Sequence, residues 1–280
     1  MKFAIHAHIY YRELWDELSG CIRNFPKGEY DLFVTTPHVD ADFERRVMAE
    51  YPRCDYRVVE NRGYDVGPFI DVLNRLDLSR YEFVVKLHTK RDFVGLENYI
   101  RFSGSKWRDY LLAFCKTPKN LSRTLNCFAD PRIGMVGHPL LVIGTGDFFE
   151  SNRVKKVAVE WVRKLGLKPA RRLFVGGTMF VARAELFKCI QGKVSLDDFA
   201  PVVSHELGTL AHVYERVLGY MVCAQGKQIV GFFRQVNVLS CFAFVIVPAY
   251  RVLAFLRNQL PDRRRERMLD KQRSDKYESG

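Results

Sequence analysis

From Phe3 to Ile9 apolar side chains alternate with more polar ones, the two-residue period of a strand that turns one face to a core. The period then lengthens, and Leu14, Trp15, Leu18 and Ile22 recur at helical spacing within 12–22. Tyr30–Thr35 predicts a second strand, Asp42–Tyr51 a second helix, and the β-rich run Arg57–Glu60 a short third strand. Phe69, Ile70, Leu73 and Leu76 mark a further helix, and Tyr81–Leu87 is apolar enough for a strand buried on both faces. This alternation of strand and helix predicts an α/β fold built on a mostly parallel, doubly wound sheet.

Beyond Leu87 the pattern is less regular. A helix is expected over Ser103–Phe114, and another from Pro118 with Leu121, Leu125 and Phe128 on its apolar face. Ile133–Gly137 reads as a short strand opening onto a glycine-rich loop that includes Asp147, and Arg153–Leu165 as a basic helix. Phe174–Arg183 reads as one strand in which Gly176 and Gly177 either admit a closely approaching group or serve tight sheet packing. Leu210, Val213, Val217 and Leu218 share a helical face, with His212, Glu215 and Arg216 clustered beside it. Residues 232–255 are strongly apolar, but Pro248 and Arg251 interrupt them before the length of a membrane-spanning helix is reached. An Arg-rich run, Arg263-Arg264-Arg265-Glu266-Arg267, follows. The chain therefore divides into a domain over 1–235 and a tail over 236–280. The tail suits an anionic membrane surface or, equally, a docked C-terminal helix with a charged end.

Composition narrows the partners. A net charge of +12 favours something anionic: nucleic acid, a phosphorylated substrate or an anionic membrane surface. No nucleic-acid signature is present, and the basic residues are not interleaved with aromatics, so no nucleic-acid partner is expected. The seven cysteines are odd in number and form no CxxC pair, which reads as reduced thiols without a zinc site. The first ten residues are too polar for a signal peptide, so a cytoplasmic protein is expected. Neither a Gly-x-Gly-x-x-Gly nor a Walker sequence occurs.

The candidate chemistry lies between Glu60 and Arg91. Asn61 and Gly63 tolerate turn geometry, and Asp65 is placed to cap a helix with Gly67 and Pro68 in its first turn. The strand that follows ends in Lys86, His88, Lys90 and Arg91. Ligands of open α/β sheets bind beyond the carboxyl ends of strands, where this loop and these cations would meet. Helix-start amides beside four potential cations suit a diphosphate.

Six motifs follow one another in order: Asn61-Arg62-Gly63-x-Asp65-x-Gly67-Pro68, Lys86-x-His88-Thr89-Lys90, Trp107-Arg108, Ile133-Gly134-Met135, Gly176-Gly177-Thr178-Met179-Phe180 and Ala211-His212-x-x-Glu215-Arg216. In these the chain resembles the rhamnan synthesis F family of bacterial polysaccharide glycosyltransferase domains, over residues 1 to about 230. The resemblance implies a GT-A-like, Rossmann-type fold and a nucleotide-sugar donor (dTDP-, UDP- or GDP-linked). It further implies transfer of the sugar, rhamnose being one candidate, to a lipid-linked or oligosaccharide acceptor of a cell-surface glycan. The expected location is the cytoplasm, peripheral at the inner face of the cytoplasmic membrane. A non-catalytic glycan- or nucleotide-binding module of the same fold is the alternative.

Roles follow from the same resemblance. Lys86, His88, Lys90 and Arg91 are expected on the diphosphate, and Asn61, Arg62, Gly63 and Asp65 on the nucleotide or donor sugar. Gly176, Gly177 and Thr178 would floor the site. Glu206 is the expected base, with Glu215 and Asp147 as alternatives and His212 and Arg216 in support. Many GT-A enzymes end this strand in Asp-x-Asp, which holds a divalent metal. Here the place carries Lys86-Leu87-His88-Thr89-Lys90, so fixed cations are expected to balance the leaving diphosphate and no metal site is assigned, Mg²⁺ or Mn²⁺ being the alternative.

Overall fold

A computed structural model describes residues 1–91, 104–144, 152–203 and 208–232. The chain runs through β1 (Phe3–His8), α1 (Trp15–Ile22), β2 (Tyr30–Thr36), α2 (Ala41–Glu50), β3 (Asp55–Val58), α3 (Val66–Arg75) and β4 (Phe83–His88). It continues through α4 (Gly104–Leu112), α5 (Pro118–Cys127), β5 (Ile133–Gly137), β6 (Val142–Gly144), α6 (Asn152–Lys164), β7 (Leu173–Val175), β8 (Phe180–Arg183), α7 (Leu210–Ala224) and β9 (Gln228–Gly231). These elements belong to one unit, Met1–Arg234. The tail expected over 236–280 lies outside the described residues. No described helix is long and apolar enough to cross a membrane.

Seven strands form one sheet in the order β3-β2-β1-β4-β8-β5-β9. β3, β2, β1 and β4 pair in parallel, as do β5 and β9, while β8 runs antiparallel between β4 and β5. The sheet is therefore mostly parallel and flanked by helices, as expected. β1 and β4 are buried at every position, which is why β4 opens with the apolar run Phe83-Val84-Val85 up to Lys86.

The two faces of β1 have different partners. Phe3 packs its ring against Phe25, just after α1, and against Phe83 of β4. On the other face His6 stacks on Phe69 of α3, which in turn meets Phe180 and Phe187 edge-on. Parallel register aligns His6 with Lys86, and His8 with both His88 and Thr35. The polar side chains of three neighbouring strands thus share the α3 face, near the carboxyl ends of β1 and β4.

One expected strand is two. Phe174–Arg183 breaks after Val175, so β7 pairs with β6 in a separate two-stranded sheet while β8 joins the main one. The break is a left-handed pair, Gly177 at φ 76° and Thr178 at φ 54°. A threonine there is disfavoured because its branched Cβ crowds the backbone. A Cβ on Gly177 would lie 2.4 Å from Leu111 Cδ2, so only glycine fits the turn.

Candidate functional site

Asp65 stands immediately before α3 but does not cap it. Its carboxylate instead accepts hydrogen bonds from Lys86 Nζ and from Thr178 Oγ1, the latter at 2.5 Å. Lys86 also donates to Thr178 Oγ1 at 2.8 Å, which closes a triangle of three side chains from the α3 loop, β4 and the β7–β8 turn. Burial alone would raise the Asp65 carboxyl, but His88, Lys86 and Lys90 around it hold it well below the usual carboxylate range. Burial lowers Lys86, and Asp65 opposes that shift. The strained Thr178 backbone is offset by this bridge, since only a hydroxyl there serves both partners.

Gly177 is gripped from two sides. His88 Nε2 donates to its carbonyl at 2.8 Å, and its own amide donates to Glu215 Oε1 at 2.8 Å. The other Glu215 oxygen accepts from Arg216 at 2.6 Å, and Arg216 also donates to the His212 carbonyl. Burial pushes His88 down to about 4 against the pull of Asp65, so at neutral pH it is an uncharged imidazole with Nε2–H as its donor.

These groups border a cavity of about 400 Å³ at the carboxyl ends of β1 and β4, the size range of a nucleotide-like ligand. His8, Tyr10, Asn61, Asp65, His88 and Lys90 line one part of it, and Gly177, Thr178, His212 and Glu215 another. Lys90 is the one lysine or arginine among the described residues that line it.

His8 was not among the residues expected here. Thr35 Oγ1 lies 2.8 Å from His6 Nε2 and 3.0 Å from His8 Nδ1. His6 Nδ1 is buried with no partner. A bare acceptor is less costly than a bare N–H, so His6 carries its proton on Nε2 and donates to Thr35. The Thr35 hydroxyl then donates to His8 Nδ1. Burial pushes His8 down to about 3, so it is neutral, with its proton on Nε2, the nitrogen that Thr35 leaves for the cavity. A His-x-His alternation on the polar side of β1 was the signal in the sequence.

The structure thus brings together Asn61, Asp65, His88, Lys90, Gly177, Thr178, His212 and Glu215. Others are placed differently. Lys86 is fully buried, is bonded to Asp65 and is not among the cavity-lining residues. His88 is a neutral donor rather than a cation. Arg91 pairs with Glu13 and stacks over Tyr11, and Arg62 pairs with Glu60 while donating to the Phe199 carbonyl at 3.0 Å. Gly63 packs against the Phe199 ring and borders a small neighbouring pocket, and Gly176 packs on Ile143. Arg216 holds Glu215. Glu206 and Asp147 lie outside the described residues. Among the described residues, no group of three or more His, Cys, Asp or Glu side chains is arranged to hold a metal ion. Both cavity carboxylates, Asp65 and Glu215, already accept from protein donors.

A family profile described as rhamnan synthesis protein F matches residues 1–227. The uncharacterized protein WxcX of Xanthomonas campestris pv. campestris (strain B100) is 30% identical over 225 residues, which cover 79% of this chain and 31% of WxcX. The chain thus spans about a third of the length of that relative. Among solved structures, S. aureus TarS 1–349 aligns with 84% of this chain and 59% of its own, at 16% identity and a TM-score of 0.43. The mannosyltransferase PcManGT from Pyrobaculum calidifontis, in complex with GDP-Man and Mn²⁺, aligns with 82% of this chain and 54% of its own, at 14% identity and a TM-score of 0.44.

Proposed function

This chain belongs to the rhamnan synthesis protein F family, and from that premise we propose that it is a GT-A-like glycosyltransferase. It moves a sugar, rhamnose being the first candidate, from a dTDP-, UDP- or GDP-linked donor to a lipid-linked or oligosaccharide acceptor of a cell-surface glycan. The observation that carries this reading is the cavity at the β1 and β4 ends, whose lining includes Lys90, Asn61 and the neutral donor His8. Such a set suits the pyrophosphate and sugar oxygens of an activated sugar.

In this reaction the bond from the sugar's anomeric carbon to the β-phosphate oxygen breaks, and its electron pair leaves with the nucleoside diphosphate. The acceptor oxygen forms the new bond, and a carboxylate takes its proton. Lys90 and the His8 Nε2–H are the groups proposed to stabilise the departing charge. Asp65 and Thr178 hold the wall behind them. Glu206 is the proposed base. No step is assigned to a metal, because Asp65 and Glu215 are engaged by Lys86, Gly177 and Arg216. Membrane attachment through the tail, at the inner face of the cytoplasmic membrane, belongs to the same proposal.

Thermal-shift titration with the three classes of nucleotide sugar, then a transfer assay with the best stabiliser in the presence and absence of EDTA, tests the reading. Failure of every donor to bind rejects it. The engagement of both described cavity carboxylates favours a second reading, a module that binds the donor without transferring it. Glu206→Gln separates the two: transfer lost with binding kept supports the enzyme, whereas a wild-type protein that binds but never transfers supports the module.

A further inference from the structure

The cavity leaves the basic helix unexplained. α6 is 13 residues long, about 20 Å, and its buried positions Val154, Ala158, Val159 and Val162, with Leu165 just beyond its end, lie on one side. Its trailing Trp161 lies against Tyr214 of α7, with ring centroids 5.1 Å apart. Arg153, Lys156, Arg163 and Lys164 are all exposed, and at 3.6 residues per turn they share an arc of roughly 100° facing away from that side. Lys168, Arg171 and Arg172 continue the exposed cations toward β7. From 152 to 172 the sequence holds a single acid, Glu160, which is exposed within the same arc, so the segment carries seven exposed cations against one carboxylate.

What marks this face is seven exposed cations close together with one carboxylate, Glu160, among them. On the β1–β3 side of the chain, Arg12, Arg23, Arg45, Arg46 and Arg57 each hold a carboxylate. Among the described residues, none of the seven exposed cations just named has a carboxylate within ion-pair distance. With Glu160 as its single carboxylate, the face keeps a large positive excess that repels itself, a cost to the isolated fold that an anionic partner relieves.

We infer that the exposed face of α6, with the segment leading to β7, docks on an anionic lipid bilayer. Three observations favour a bilayer over a soluble polyanion. The charges are spread over a helix surface about 20 Å long rather than converging on a point, which matches a plane of headgroups. Neither cavity described among these residues is lined by them, whereas a small phosphorylated ligand needs a concave site. Trp161, the single aromatic side chain between 152 and 172, is half-buried under the Lys164 ammonium, so no exposed ring is offered for a nucleic-acid base to stack on. The inference uses no residue of the cavity and stands apart from the donor-site reading.

Co-sedimentation of the full chain with phosphatidylcholine vesicles, with and without phosphatidylglycerol, is the test. Binding is expected only with the anionic lipid, and it should weaken as salt is raised. Each cation near such a surface is worth about fivefold in partitioning, so R153Q/R163Q/K164Q should lose on the order of 100-fold. Nucleotide binding by that variant, measured alongside, should match the wild type and so report an intact fold. R263Q/R264Q/R265Q, in the tail, measures the tail's separate share. The inference is overturned if the wild type ignores phosphatidylglycerol, or if the α6 variant partitions like the wild type. It is equally overturned if polyphosphate or an oligonucleotide binds the α6 face more tightly than the vesicles do.

Discussion

The Lys86 ammonium, fully buried in β4, is bonded to the Asp65 carboxylate, which the chain delivers from the loop twenty-one residues earlier. The pair holds the wall of the cavity together, because Thr178 from a third element bonds to both. Replacing one member strands the other. Lys86→Met should therefore destabilise the protein by about 3–5 kcal/mol, the usual cost of leaving a buried charge alone. Urea denaturation measures this. Asp65→Asn in the same chain should return part of the loss, and a Lys86→Met protein within about 1 kcal/mol of wild type would show that the pair is dispensable.

The neutral imidazoles make stability depend on pH in a defined direction. His88 titrates at about 4 in the folded chain and near 6.5 when unfolded. Between those values the unfolded chain binds the extra proton, so stability is full above 6.5 and is lost as the pH falls toward 4. His88 alone accounts for roughly 2 kcal/mol lost by pH 5, and His8, lowered further, adds to it. Denaturation midpoints at pH 7 and pH 5 check the sign. In His88→Gln the difference should shrink, and an unchanged difference would move the effect elsewhere in the protein.

The β7–β8 turn gives a third expectation. Gly177→Ala places a methyl group 2.4 Å from Leu111 Cδ2 on a left-handed backbone. Strain of about 1–2 kcal/mol from the backbone alone is expected, with the clash added. The thermal midpoint should fall, and nucleotide binding should weaken with it, because the carbonyl and amide of this residue anchor His88 and Glu215. A variant as stable as wild type that binds normally would mean the turn relaxes at no cost.

How much of this could be read in advance depended on the range of the interactions. β1, α3 and β4 follow from local periodicity, and the strand-end rule was enough to place Asp65, His88 and Lys90 together. The burial of Lys86 could not be read in advance because its partners are Asp65 and Thr178, the latter 92 positions away, and nothing local distinguishes a buried lysine from a cation at a strand tip. The break at Gly177-Thr178 was hidden for a related reason. A β-branched threonine argues for a continuous strand, and only the distant Asp65–Lys86 pair explains why it occupies a left-handed turn. His8 was given no role in advance, since its strand read only as a first core strand. Its exposure to the cavity depends on Thr35 of the neighbouring strand.

The bonds through Thr35 make His8 a fixed donor, and this can be seen directly. Nitrogen-15 spectra should show His8 protonated on Nε2, and Thr35→Val should mix the two tautomers. His8→Leu should weaken nucleoside diphosphate binding about 10-fold, the worth of one hydrogen bond at the upper end of the neutral range, without unfolding the chain. Calorimetric titration measures it. If His8→Leu binds as tightly as wild type, the imidazole faces the cavity without touching the ligand.

Lys90 lies two residues beyond His88, and with Lys86 buried and Arg91 paired to Glu13 it is, among the described residues, the lysine or arginine left at the cavity. The charge of a bound diphosphate should therefore fall on it. Lys90→Ala should cost on the order of 10- to 100-fold in affinity for a nucleoside diphosphate, since charge-assisted bonds are worth about twice neutral ones. The loss should be much smaller for the nucleoside alone, which lacks the charge. Arg91→Ala makes the contrast, because its guanidinium is held by Glu13 and Tyr11 and should leave affinity within about threefold of wild type. Titrating all three proteins with the diphosphate and the bare nucleoside decides the point. Equal losses for the two ligands in Lys90→Ala would place the pyrophosphate away from β4.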